Sequence, residues 1–235
     1  MLTENFMQLL LATVILAGSP AAPTVEVCPS HQVMAEQLAD DVQTGTLLFS
    51  HGDCLAVKVF SRSEYTHVAT VVVEDDRPMV YESTNGVGVR KLSLEKYIAV
   101  SAPDELHVYQ PNFEFKEKLR TPFVAHLKNE LGRPYSVKHH LTGKRCEGVH
   151  CAEYVTDALM ASDIMRARNP PKVSPGSLRD GITQAKRYHE SHVLNLEPPE
   201  PIREEGDGWC ESLWLDTKYC TQDCYSSFKR KFLCR

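Results

Sequence analysis

The run Thr66-His-Val-Ala-Thr-Val-Val-Val73 sets the strongest limit on the fold, because it is almost entirely apolar and β-branched. Such residues fit a pleated strand, and a strand that is apolar on both faces has to be covered on both. Glu74-Asp-Asp-Arg77 reads as a hairpin turn, and Pro78 to Ser83 as the returning strand. With Asp75 and Asp76 as a two-residue turn, Glu74 faces Arg77. Glu82 then lies opposite Ala69, on the sheet face that carries His67. A slip of one residue would send Glu82 to the other face.

Other elements follow from periodicity and punctuation. Ser30 to Val42 predicts a helix with Met34, Leu38 and Val42 on one face. Thr46-Leu-Leu-Phe49 predicts a short buried strand, Val87 to Leu92 a continuation of the sheet, and Leu106 to Tyr109 a further strand. Ser93 is placed to cap a short helix through Ile98. Thr121-Pro122 reads as a helix start, with Gly132 and Pro134 as its stop. A second helix is expected from Cys151 to about Ser162, while Asn169-Pro-Pro171 and Ser174-Pro-Gly176 read as loops. The sum is an α+β chain with a mostly antiparallel sheet packed against helices.

Four segments are expected: 1–22 as a signal peptide or apolar segment, 30–190 as the core domain, 191–208 as a proline-rich acidic linker, and 209–235 as a cysteine-rich module. The run Phe6 to Ala17 has signal-peptide length and is followed by small residues, although the leading MLTEN lacks Lys and Arg. It is shorter than the roughly 20 apolar residues that span a bilayer, so no stable membrane span is expected in the mature chain. Eight cysteines also favour a secreted or periplasmic location. Four of them lie at Cys210, Cys220, Cys224 and Cys234, which suggests a small disulfide-stapled hairpin whose connectivity stays open. The net charge of −5 argues against nucleic acid, whose affinity comes from Lys and Arg on phosphates.

Two segments carry chemistry. One is Ser63-Glu-Tyr-Thr-His67, which puts an imidazole at the mouth of the buried strand; the other ends in His150-Cys-Ala-Glu-Tyr-Val155, where Cys151 opens a helix. A helix start offers free N–H groups and a partial positive charge, which favour a thiolate and can hold an oxyanion. His67 is the expected base, and Glu82 its orienting partner.

The motifs T-H-V-A-T-V-V-V, V-Y-E-S with G-V-G-V after it, L-G-R-P-Y-S and H-C-A-E-Y-V together resemble the circularly permuted NlpC-type papain-like hydrolases, the YiiX-like group most nearly. Thr44-Gly45-Thr46-Leu-Leu-Phe49 is similar to that group's G-D-L-L-F strand, and the resemblance covers about residues 44–183. It implies a permuted papain-like fold, a triad on Cys151, His67 and Glu82, and hydrolysis of amide-type bonds, often in cell-wall peptides. It also implies that Tyr135 contacts the substrate or the oxyanion. Ala152 departs from the usual serine, and His139, His140 and Cys146 have no counterpart. Lecithin-retinol acyltransferase-like proteins share the layout more distantly, with a second histidine where Glu82 stands.

Other readings stand beside this one: an acyltransferase or thioesterase on lipid substrates, or a non-catalytic secreted binding module. Cys151 could instead sit in a disulfide with Cys54 or Cys28, and Cys54 is a rival nucleophile without a helix start. A metal set from His139, His140, Cys146, His150 and Cys151 lacks any zinc-ligand spacing, so neither a metal nor a cofactor is expected. The partner is a peptide or acyl substrate.

Overall fold

The computed structural model describes residues 29–51, 63–101, 105–195 and 203–233. In chain order the elements are α1 (Pro29–Ala39), β1 (Leu47–His51), β2 (Tyr65–Glu74), β3 (Arg77–Thr84), β4 (Gly88–Ser93), α2 (Leu94–Ser101), β5 (Glu105–Pro111), α3 (Glu117–Asn129), α4 (Lys138–Thr142), α5 (Cys151–Ala161), a 3-10 turn at Pro170–Lys172, α6 (Pro175–Gln184), β6 (Tyr188–Asn195) and α7 (Trp209–Leu233). The strands form one six-stranded sheet in the order β4-β3-β2-β1-β5-β6, and every neighbouring pair is antiparallel.

Both faces of the sheet are covered, as the β2 sequence demands. On one face Leu47, Phe49, Val68, Val72 and Tyr81 pack under Phe123 and Leu127 of α3, Tyr154, Val155 and Leu159 of α5, and Leu178 and Ile182 of α6. On the other, Leu48, Ala69, Val71, Val80, Leu106 and Val108 pack under Ala35 and Leu38 of α1 and Leu94, Tyr97 and Ile98 of α2. Truncating one such fully buried leucine to alanine costs about 2–5 kcal/mol, so the two clusters dominate what holds the sheet in place.

The hairpin between β2 and β3 turns through two residues. Asp75 and Asp76 have φ of 49° and 59°, the paired left-handed geometry of a type I′ turn, whose twist matches that of the strands it joins. The register then runs from Glu74 opposite Arg77 to Thr70 opposite Tyr81, which sets Ala69 against Glu82 as expected. β4 continues the sheet with Glu82 opposite Arg90.

Several expectations are corrected. α3 begins at Glu117 rather than Thr121, because the Lys116 carbonyl accepts from the N–H groups of Leu119 (2.8 Å) and Arg120 (2.9 Å). Pro122 therefore lies inside the helix, where it has no N–H to give the Lys118 carbonyl. Ser174-Pro175 opens α6 instead of forming a loop: the Ser174 and Ser177 side chains cap each other's backbone N–H groups, and Pro175 occupies the first turn. The sequence gives no sign of β6, which among the described residues pairs only with β5 and is largely exposed, so its sequence lacks clean alternation. It also places residues 191–195 in the sheet rather than in a linker. The C-terminal segment is the single helix α7 and not a stapled hairpin. Cys210, Cys220 and Cys224 lie along it as thiols, with Cys220 and Cys224 one turn apart and hydrogen-bonded. Cys28, Cys54, Cys234 and the apolar run from Phe6 to Ala17 lie outside the described residues.

The glycines of G-V-G-V acquire a physical reason. Gly88 has φ of +92°, and a Cβ there would sit 2.3 Å from the Arg133 carbonyl oxygen. The close approach lets β4 and the 132–133 segment exchange hydrogen bonds, Val89 N–H to Arg133 O (2.8 Å) and Gly132 N–H to Val89 O (2.9 Å). Gly88→Ala is expected to lower unfolding stability by about 1–3 kcal/mol, since strained φ and a backbone clash coincide. Urea unfolding of the variant beside the wild type checks this, and equal midpoints would contradict it.

Candidate active site

The structure brings together three of the residues singled out by sequence. His67 stands near the start of β2 and Glu82 on β3, on the same face as Ala69 by strand alternation. The His67 Nε2 lies 2.7 Å from Glu82 Oε2. That bond occupies Nε2 and leaves Nδ1 for the sulfur. Cys151 is the first residue of α5, is only 4% exposed, and interacts with His67 through hydrogen bonding and charge.

Glu82 is 1% exposed. An isolated carboxylate so buried would take up a proton. Here the opposing effect of burial is outweighed by the bond and charge of His67 and by Arg90, and the carboxyl is held below its ordinary range. Arg90 grips Glu82 Oε1 with both Nε (2.7 Å) and an NH2 nitrogen (2.6 Å). Arg90 was not singled out from sequence. The register Glu82↔Arg90 places it there, and that register could have been extended from the same turn arithmetic.

Charge separation on the sulfur–imidazole pair follows from these contacts. Burial alone would lower the His67 pKa, but Cys151, then Glu82, raise it to about 10. Burial alone would raise the Cys151 pKa, but the two imidazoles of His150 and His67 bring it down to about 6. Between those values the stable form is thiolate beside imidazolium.

His150 is the second residue that sequence reasoning did not assign to this site. It is the N-cap of α5: its Nδ1 accepts from the Glu153 N–H (3.3 Å), while Nε2 contacts the Pro171 carbonyl (3.0 Å). Because a carbonyl only accepts, the proton sits on Nε2. Burial works to lower the His150 pKa, but Cys151, the Pro171 carbonyl and Glu153 raise it. The signal was available in the chain, as a polar residue just ahead of a helix whose first residue is the cysteine.

The nucleophile segment is fixed from below as well. Ser83 Oγ donates to the Val149 carbonyl (2.7 Å), and Tyr135 forms an isolated bridge with Val149. Tyr135 is near enough to feel the sulfur. Burial, and then the charge of Cys151, push its phenol well above the ordinary tyrosine range, so at neutral pH it is a hydrogen-bond donor. Of the residues weighed as a metal set, His150 already spends both nitrogens on backbone, and Cys146 lies near Ser136 Oγ (3.6 Å). The side chain of His139 and all of Cys54 lie outside the described residues.

A family model described as permuted papain-like amidase enzyme, YaeF/YiiX, C92 family, matches residues 41–192. Among solved structures, the crystal structure of metalloprotein YiiX from Escherichia coli O157:H7 superposes with a TM-score of 0.53. It is 18% identical, over 65% of this chain and 97% of that one, a likeness that speaks for the fold alone. No curated protein matches the chain.

Alkylation by iodoacetamide follows the thiolate, not the thiol. Raising the pH through the Cys151 pKa creates the reactive form, so its labelling rate is expected to be half-maximal near pH 6. In His67→Ala the midpoint should move up, because the His67 imidazolium is gone. Peptide mapping separates Cys151 from Cys146 and the α7 thiols. A wild-type midpoint at the ordinary thiol value, about 8.5, would contradict the geometry.

Proposed function

Because the chain belongs to the permuted papain-like amidase family and is a papain-like cysteine hydrolase of amidase or peptidase type, we propose that it cleaves an amide-type bond in a peptide or cell-wall peptide through an acyl-enzyme on Cys151. The observation that carries this reading is the buried thiol at a helix start, beside an imidazole that is itself held by a carboxylate.

In this mechanism the Cys151 thiolate attacks the scissile carbonyl carbon, and the carbonyl π electrons move to oxygen. The resulting oxyanion meets N–H groups of the first turn of α5, which have no intrahelical acceptor, and the Tyr135 hydroxyl as a further donor. As the tetrahedral species collapses, the C–N bond breaks and His67 gives its Nδ1 proton to the leaving amine. The product is a thioester on Cys151. Neutral His67 then takes a proton from water, the hydroxide equivalent attacks the thioester, and the thiolate leaves. Glu82 holds His67 in one orientation throughout and stabilises its charged form, while His150 lowers the thiol pKa and caps the helix. The sum is amide plus water to acid plus amine.

We further place the catalytic domain from residue 30 to the end of β6 at Asn195, five residues beyond the boundary expected from sequence, and the reaction outside the cytoplasm. The apolar run at Phe6 to Ala17, with small residues after it, supports export. The eight cysteines support it as well. Among the described residues, no helix is long and apolar enough to cross a membrane.

Activity-probe capture of Cys151, followed by turnover assays on muropeptides and on acyl lipids, tests the substrate class. Muropeptides are expected to turn over and to leave a transient acyl mass on Cys151. His67→Ala should lower kcat by about 10²–10⁴-fold, and Cys151→Ser should remove turnover with the circular dichroism unchanged. Wild-type turnover in Cys151→Ser would refute the nucleophile, and turnover of acyl lipids alone would refute the amide substrate.

A further inference from the structure

A second cluster of chemistry-bearing side chains lies at the C-terminal end of β1, one residue beyond Ser50. His51 is cross-strand from Glu105, and Phe49 from His107, so the alternation of β1 and β5 puts His51, Glu105 and His107 on one sheet face. One ligand atom from each lies within 4.8 Å of the others. We propose that these three side chains bind a divalent transition-metal ion, with zinc the best fit.

Each imidazole is set up in the same way. The His51 Nδ1 is 2.7 Å from Glu105 Oε2; the His107 Nδ1 is 2.5 Å from Glu190 Oε1 on β6 and 3.4 Å from the Tyr65 hydroxyl. In both rings Nε2 is buried and has no hydrogen-bond partner. His107 is 8% exposed, and its Nε2 points to within 3.3 Å of Glu105 Oε1. A pair of ordinary surface histidine–carboxylate contacts would leave those nitrogens in water. Burying the His51 Nε2 unpaired costs about 1–3 kcal/mol, the His107 Nε2 has only the Glu105 carboxylate oxygen beside it, and an ion would satisfy both.

The Glu190–His107 contact is what a ligating histidine ordinarily has: a carboxylate on one nitrogen fixes the tautomer and turns the other toward the metal. Two imidazoles and one carboxylate suit zinc and leave a fourth position for water. Glu105 is one-third exposed, so an ion can enter from solvent. Once bound, it would tie β1, β5 and, through Glu190, β6 together. His51 follows Ser50, whose cross-strand partner is His67, so the ion would brace the strand pair that carries the imidazole of the other site. The sequence reading expected no metal and did not weigh this set. His51, Glu105, His107 and Glu190 belong to three strands and show no ligand spacing in the chain.

The site does not rest on the hydrolase reading, and its test needs no substrate. The full chain is stripped with a chelator and titrated with Zn²⁺ alone by calorimetry, with bound metal counted by mass spectrometry. One equivalent is expected, with a rise in melting temperature. Affinity should fall at least tenfold in Glu105→Gln and in His107→Ala, and about 10–100-fold in Glu190→Gln. Co²⁺ in the same site should give ligand-field absorption without thiolate charge-transfer bands. Glu105→Gln and Glu190→Gln are isosteric at partly exposed positions, so they decide the matter should His107→Ala fail to fold. No bound zinc, unchanged affinity in those two variants, or thiolate bands would overturn the proposal.

Discussion

A single buried contact, the 2.7 Å hydrogen bond between His67 and Glu82, organises the functional half of this molecule. A carboxylate with 1% exposure survives as an anion only because an imidazole and a guanidinium both engage it. Removing one partner of such a buried ion pair costs about 3–5 kcal/mol, mostly because a charge is left uncompensated. The Glu82 contact therefore does two jobs, in stability and in the placement of the imidazole. Both depend on register. The type I′ turn at Asp75-Asp76 fixes the alignment of β2 and β3, and a slip of one position would put Glu82 and His67 on opposite faces.

The sulfur is brought to that imidazole from a different direction. α5 begins at Cys151 because His150 takes the N-cap and Ser83 holds the Val149 carbonyl just before it. Two imidazoles then converge on one thiol. Burial opposes ionisation of sulfur and imidazole alike, yet their mutual attraction wins and the pKa values move apart in the direction that favours the ion pair. The charge distribution needed for attack exists before substrate arrives, so little reorganisation is left for the reaction itself.

Much of this was legible in the sequence. The β2 run, the two-residue turn and the cysteine at a helix start are local features with one strong physical interpretation each. From them His67 and Glu82 could be placed side by side without coordinates, while Cys151 was joined to the pair by what the family resemblance implied. Features that escaped depend on contacts between distant segments. Arg90 looks like any charged strand residue until β4 is paired with β3. β6 lies at a sheet edge, where one side needs no burial and alternation fades. Ser174-Pro175 was read for its proline and not for the cap ahead of it. The symmetric cysteine spacing of the tail suggested staples, but Trp209–Leu233 is a helix, in which Cys220 and Cys224 are neighbours on one face. His51, Glu105, His107 and Glu190 are joined only by the β1-β5-β6 pairing, which no short-range pattern announces.

The account turns on whether the imidazole of His67 is charged in the resting protein. Nitrogen-15 NMR of the ring reads this directly. At pH 8 both ring nitrogens of His67 should appear protonated in the wild type, and the ring pKa should fall in Cys151→Ala, where Glu82 alone is left to oppose burial. A neutral His67 at pH 8 in the wild type would contradict the ion pair from which the proposed chemistry starts.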